Sequence, residues 1–273
     1  MVYPERVGAP DDKPRLVGAL LQPLEPVIRL LDAVGTLVIL ATKAVLWALR
    51  PPFRPGQLLL AMEFVGVQSI FIVVLTGTFT GMVLALQMVN ALRDFGAESM
   101  VGAIVAISLT REMSPVFAAL MVTARGGSAM AAELGNMRVT EQIDALATMG
   151  VSPIQYLVTP RMLAGVLMLP LLCVLFTCVG MAGAWVVSVQ GLGLDPGIYL
   201  ANVEAYLEVE DFTMGMIKSL VFGFLVSVIS CHQGFYASGG ARGVGQATTR
   251  AVVNSAVAIL ISNYLLTSWL MGI

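Results

Sequence analysis

Charge is what this sequence most lacks. Asp, Glu, Lys and Arg make up 12% of it, against about 25% in a soluble globule, which excludes an ordinary water-soluble domain. The net charge is −2 with no basic cluster, so nothing points to nucleic acid. Histidine occurs once, as His232, and no carboxylates gather at a membrane face, so no catalytic constellation can be recognised. Cys173, Cys178 and Cys231 all lie in apolar runs, which implies neither a disulfide framework nor a metal site. The pattern GxxxxGK[ST] is missing, so any ATP and Mg used with this chain are bound by another one, and no cofactor is expected here. The first 26 residues hold Pro4, Pro10, Pro14, Pro23 and Pro26, unlike the unbroken apolar core of a signal peptide.

What the chain has is long apolar runs. Residues 64–92, 162–194, 219–241 and 251–273 contain no Asp, Glu, Lys or Arg, and 99–124 is interrupted only by Arg111-Glu112. Each reaches the roughly 20 residues a membrane-crossing helix needs. The expected fold is an all-α integral membrane protein with five transmembrane helices. Residues 1–25 read as a poorly structured tail. From Pro26 to Arg50, the residues Arg29, Thr36, Lys43 and Arg50 recur seven apart along one stripe. The uncharged part, Ala33 to Thr42, is too short to span, so an N-terminal interfacial amphipathic helix is expected, with a Pro-rich elbow through residue 56. A sixth, short span is the alternative. Span one contains Gly77-xxx-Gly81, which reads either as a close-packing face or as ordinary glycine use. Pro160 and Pro170 are expected to tilt or kink span three. A polar loop with Asp195, Glu204, Glu208, Glu210 and Asp211 precedes span four, and the Gly-rich segment 239–250 precedes span five.

Lys and Arg set the orientation. With the N-terminus inside, Arg6, Lys13, Arg15, Arg29, Lys43, Arg50, Arg54, Arg125, Arg138, Arg161, Arg242 and Arg250 fall on the cytoplasmic side, and Arg93 alone falls outside. The C-terminus is then periplasmic, as is the acidic loop.

Two polar features stand out. The first runs from Arg125 to Arg161. Within it, Val139, Ile143, Leu146, Ala147 and Gly150 follow the spacing of one helical face, Asn136 is the expected N-cap, Gly150 the stop, and Pro153 prevents continuation. A short cytoplasmic helix between spans two and three is either a surface anchor or a piece offered to a partner. The mixed charge of Arg138, Glu141 and Asp144 favours docking, because inner-leaflet anchors tend to be basic. The second is Arg111-Glu112, in the middle of span two. A charge there costs several kcal/mol unless it is paired or faces a wet cavity. Adjacent helical residues do not pair with each other, so each needs a partner elsewhere, and Lys218 is available in span four. These residues form either a polar spot for a zwitterionic or anionic head group, or a structural ion pair tying two spans together. His232 reads as a hydrogen-bonded structural residue.

Asp144-Ala145-Leu146-x-x-x-Gly150 resembles the first half of the EAA-xxx-G loop by which ABC importer permeases dock on their ATPase; the later Leu-Pro part is not in register. GTFTGMVLALQ (77–87), LTREMSPVFAALMVTARGGSAMAAELGNMRVTEQIDALATMGVSPIQYLVTPR (109–161) and GVGQATTRAVVNS (243–255) closely resemble the MlaE/YrbE-type permeases of Mla and Mce lipid-transport ABC systems. The resemblance runs from about residue 60 to the C-terminus and marks 57–273 as the permease domain, with 125–153 as its coupling segment. It implies a non-enzymatic transport subunit in the bacterial inner membrane, acting as a homodimer. Two cytoplasmic ABC ATPase subunits, a periplasmic ring of MCE-domain subunits, a small STAS-domain protein and a phospholipid cargo are the implied partners. It further implies lipid contacts at Leu84, Leu92, Arg111, Glu112 and Lys218, and ATPase coupling through Glu133, Arg138, Glu141, Asp144, Ala145 and Gly150. A rival from another class is a proton-coupled secondary transporter that uses Glu112 and needs no partner.

Overall fold

The computed structural model describes residues 25–51 and 54–272, with side chains from Leu31 onward. The expected tail through residue 24 and the side chain of Arg29 fall outside what is described. Among the described residues all regular structure is helical. Two compact units are distinguished, Met1–Ile39 and Leu40–Ile273. Helix α1, Glu25–Ala48, passes from one to the other. In the first unit Leu31, Val34, Val38 and Ile39 are all more than half exposed, leaving an apolar surface.

The second unit begins with Leu40 and Ala44 of α1, both buried. Helix α2, Pro55–Val65, starts on a proline, whose missing N–H is no loss in a first turn. A short 3-10 turn, Val67–Ser69, joins it to α3, Ile70–Arg93. Span two is α4 (Val101–Ser108), α5 (Ser114–Val122) and α6 (Ser128–Val139), with π-helical turns at Leu109–Met113 and Thr123–Gly127. The short α7, Gln142–Thr148, follows. A π-helical turn, Ile154–Val158, leads into α8, Thr159–Trp185. Then come α9 (Pro196–Tyr206), α10 (Val209–Phe235) and α11 (Gly240–Met271).

The structure refines the expected layout at several points. Among the described residues six helical stretches are long and apolar enough to cross a membrane: the five read from the later runs and Leu31–Ala48 of α1, which meets the measure for the short sixth span of the alternative reading. The wide spacing of its cations leaves an 18-residue stretch apolar on average. The acidic loop is half helix: Asp195 caps α9 by accepting the Ile198 N–H at 2.9 Å, and Asp211 is buried in α10. The Gly-rich segment after 239 is already helical from Gly240. Finally, the 136–150 stretch is not one helix capped at Asn136. Span two continues through Asn136 to Val139, the chain turns at Glu141 (φ 60°), and a separate helix starts at Gln142. Pro160 stands in the first turn of α8 and Pro170 inside it.

Small residues bring the helices together. A Cβ on Gly81 would meet the Gly180 backbone, its Cα at 2.8 Å, and a Cβ on Gly183 would lie 2.6 Å from the Thr78 carbonyl. The Gly77-xxx-Gly81 face is therefore a packing face between α3 and α8. On the other side of α8, Gly165 opposes Gly223 of α10, whose Cβ would sit 3.0 Å from the Gly165 carbonyl carbon. Backbone cannot move aside as a side chain can. Gly81→Ala is therefore expected to cost at least about 1–3 kcal/mol, the range for overpacking. The check is thermal unfolding in detergent, with Gly56→Ala, where a methyl meets nothing within 4 Å, as the neutral control.

Candidate functional site

The centre of the second unit is a polar cluster built on the π-helical turn 109–113. Such a turn inserts one residue into an α-helix and is frequent at functional sites. It carries Arg111 and Glu112. Two residues beyond the turn stands Pro115, which offers no N–H to the Arg111 carbonyl one turn back. The Lys218 ammonium from α10 donates to that carbonyl at 3.1 Å. Its other protons go to Glu112 Oε1 at 2.5 Å and Thr267 Oγ1 at 2.8 Å. All three ammonium donors are thus matched, which is what a lysine side chain only 2% exposed requires. Glu112 Oε2 accepts from Asn263 Nδ2 at 3.1 Å, so α11 also joins the cluster.

Arg111 turns the other way and pairs with Asp211, whose side chain is 1% exposed. The second carboxylate oxygen of Asp211 accepts the Glu208 N–H at 3.0 Å, closing a capping box at the start of α10. One residue therefore caps a helix and neutralises a guanidinium. Arg111 keeps 31% of its side chain exposed, and it is the cation of the cluster with donors to spare.

The structure brings Arg111, Glu112 and Lys218 together. Leu84 lies in an open, mostly apolar groove of about 370 Å³ between α3 and the stretch from Met113 to Phe117, with Phe79 and Val83 as neighbours. Leu92 lies beyond that groove, at the end of α3, where its carbonyl receives the N–H groups of Phe95 and Ala97, each at 3.1 Å. Sequence reasoning missed Asp211, Asn263 and Thr267. The E-x-x-D spacing at 208–211 signalled a cap and so a helix start. Asn263 and Thr267 stand one turn apart in an apolar run, and neither carries charge to draw attention. His232 is almost buried and lies beside the Tyr236 ring, centroids 4.9 Å apart.

The coupling segment is a second polar array. Arg138 and Asp144 pair at 2.5 Å across the turn that Glu141 makes. Glu133 pairs with Arg161 at 2.9 Å, joining α6 to α8 on either side of α7. Helix α7 ends in a Schellman motif: the Gly150 N–H reaches the Ala147 carbonyl at 3.1 Å and the Val151 N–H reaches Leu146 at 3.0 Å. Gly150 has φ +77°, the left-handed conformation that motif needs and that only glycine adopts freely. Within α7 only Ile143 is buried, while Ala145 and the acidic residues Glu141 and Asp144 are exposed and Met149 is 75% exposed.

The family model described as Permease MlaE matches residues 58–269. The chain belongs to the MlaE permease family. The match covers every element of the second unit from α2 onward, including the polar cluster and the coupling segment. A probable ABC transporter permease protein of Rickettsia bellii is 44% identical over 240 residues, covering 88% of this chain and 93% of that protein. The Haemophilus influenzae intermembrane phospholipid transport system permease protein MlaE is 39% identical over 212 residues, covering 77% and 81%. The chloroplastic protein TRIGALACTOSYLDIACYLGLYCEROL 1 of Arabidopsis thaliana is 40% identical over 231 residues, covering 85% of this chain and 66% of that one. This MlaE-family chain is thus a multi-pass membrane permease.

Proposed function

We propose that this chain is the permease subunit of an ABC transporter that moves phospholipids between the inner and outer membranes. The observation that carries the reading is the family match over residues 58–269. In this reading two copies pair, with α1 in the interface of the inner membrane and five spans crossing it from a cytoplasmic N-terminus to a periplasmic C-terminus. Two ABC ATPase subunits, which hold the ATP and Mg, dock on Glu133, Arg138, Glu141, Asp144, Ala145 and Gly150. A periplasmic MCE-domain ring receives the lipid, and a STAS-domain protein accompanies the ATPases.

Acyl chains take the apolar groove at Leu84, with Leu92 further along α3, and the head group meets Arg111, the exposed cation of the cluster. Lys218 has no donor left for cargo. Its part, with Glu112, is to hold spans two, four and five in register while the cavity opens and collapses. Nucleotide binding must favour one of two arrangements of the helices, because a ligand shifts an equilibrium only by its differential affinity. The exposed, capped α7 is a suitable handle for that bias.

Purification of the chain in mild detergent is expected to bring down an ATPase with a GxxxxGK[ST] loop. Recovery without such a partner, together with lipid movement by the lone chain under a pH gradient, would replace this reading with proton-coupled transport through Glu112.

A further inference from the structure

A groove of about 290 Å³ lies beside the coupling segment, away from the polar cluster. One wall is α2, which contributes Gln57, Leu60 and Phe64 at the i, i+3, i+7 spacing of one helical face. The opposite wall holds Tyr156 and Arg161, and Glu133 of α6 closes an end. The walls are tied in place. Gln57 donates to the Tyr156 hydroxyl at 3.3 Å. The Arg125 guanidinium donates to the Phe64 carbonyl and to Gln68, and lies over the Phe64 ring at 5.1 Å.

The chemistry of the groove is unbalanced. Arg161 has 11% of its side chain exposed; its Nη2 meets Glu133, but its Nη1 has no hydrogen-bond partner. An unmatched guanidinium N–H in so confined a place is costly, so it persists where something other than the chain can match it. Glu133 is 45% exposed and can turn its carboxylate to water; Arg161 cannot follow. A second cation, Arg54, lies 4.7 Å from the centroid of the Tyr156 ring and lines the neighbouring groove. A second, mostly apolar groove of about 210 Å³ adjoins the first at Pro160 and is walled by Trp47, Leu58 and Leu163.

We propose that the polar groove binds the phosphate of an anionic phospholipid from the surrounding leaflet, with Arg161 as its receptor and the apolar groove as the path of the acyl chain. The phosphate displaces Glu133 and takes the paired Nη1 and Nη2 donors of Arg161, the two-pronged geometry in which guanidinium binds phosphate most strongly. The apolar neighbour separates a lipid from a free phosphate ion. Because the Glu133–Arg161 pair joins the helices on either side of residues 140–153, lipid capture releases that tie. The coupling segment thereby senses the lipid around it. This goes beyond the transport reading and does not depend on it.

The test is native mass spectrometry of the full chain, released from micelles doped with phosphatidylglycerol or phosphatidylcholine. The phosphate is common to the two lipids, but phosphatidylcholine would bring its choline cation beside the Arg161 and Arg54 guanidiniums, so phosphatidylglycerol is expected to be retained about tenfold over it. Glu133→Gln removes the competing carboxylate and should raise that retention several-fold; Arg161→Gln should bring it down to the phosphatidylcholine level. Inorganic phosphate at millimolar concentration should leave the lipid in place. Equal retention of the two lipids, or no gain in Glu133→Gln, overturns the proposal; displacement by inorganic phosphate overturns it in favour of a free-anion site. If Arg161→Gln does not fold, Glu133→Gln decides alone, since it keeps every donor of Arg161. The readout needs neither ATPase nor transport, so failure here leaves the permease reading standing, and loss of ATPase capture leaves this one standing.

Discussion

Lys218→Met is expected to lower stability by about 3 kcal/mol, the lower end of the range for removing one partner of a buried ion pair. The lower end applies because the Glu112 side chain it strands is 35% exposed in a single chain. Three acceptors lose their donor together: Glu112 Oε1, the Arg111 carbonyl and Thr267 Oγ1. The Arg111 carbonyl gets no N–H from the residue four along, since that residue is Pro115. Adding Glu112→Gln should recover a large part of the loss, because it removes the stranded charge and keeps a side chain for Asn263 to bond. Unfolding midpoints of the two single variants and the double variant form the cycle that measures the coupling. A loss below about 1 kcal/mol for Lys218→Met, the worth of an exposed pair, would remove Lys218 from its role as the tie between spans two, four and five.

Asp144→Lys has the opposite profile, a large effect on transport with a small one on stability. Its pair with Arg138 is exposed on both sides, so its loss should change stability by no more than about 0.5 kcal/mol. Reversing the charge at a docking surface, however, places like charges together, at a cost of several kcal/mol, enough to reduce ATPase binding at least about tenfold. Glu141→Lys should behave alike. Asp144→Asn is the control: it also removes the Arg138 pair, yet creates no repulsion, and should keep most of the coupling. Measurement is by ATPase co-purification and lipid transfer in proteoliposomes. Normal values for both in a folded Asp144→Lys protein would mean that α7 is not the docking piece.

The two variants separate what was readable in the chain from what was not. The pattern from Val139 to Gly150 predicts a helix whose apolar side includes Val139 and Ala147. The structure buries only Ile143, because the chain turns at Glu141 and sets α7 apart from α6. A periodic pattern does not reveal a two-residue break when both flanks are helical. The C-terminal stop at Gly150 was legible, since a Schellman motif demands a left-handed residue and glycine fills that position at no steric cost.

Arg111-Glu112 shows the same division. Their place in an apolar run required partners, and Lys218 stood out as a charge in a span. Asp211 did not, because the sequence puts it at the edge of a loop and only the capping box draws it inward. The doubt over Gly77-xxx-Gly81 was likewise settled by its opposite number, Gly180, nearly a hundred positions away.

By itself the sequence determined that this chain is helical and crosses a membrane several times, since unbroken apolar runs of about 20 residues cross hydrocarbon as helices, whereas barrel strands are shorter and alternate with polar residues. It determined as well that its intramembrane charges must be paired, because their cost in lipid does not depend on the fold. The tertiary structure alone decided which charges pair. It decided too which glycines touch, and that Arg161 is left with an unmatched donor beside a groove. These are relations between residues far apart in the chain, set by how whole helices pack, and no local pattern encodes them.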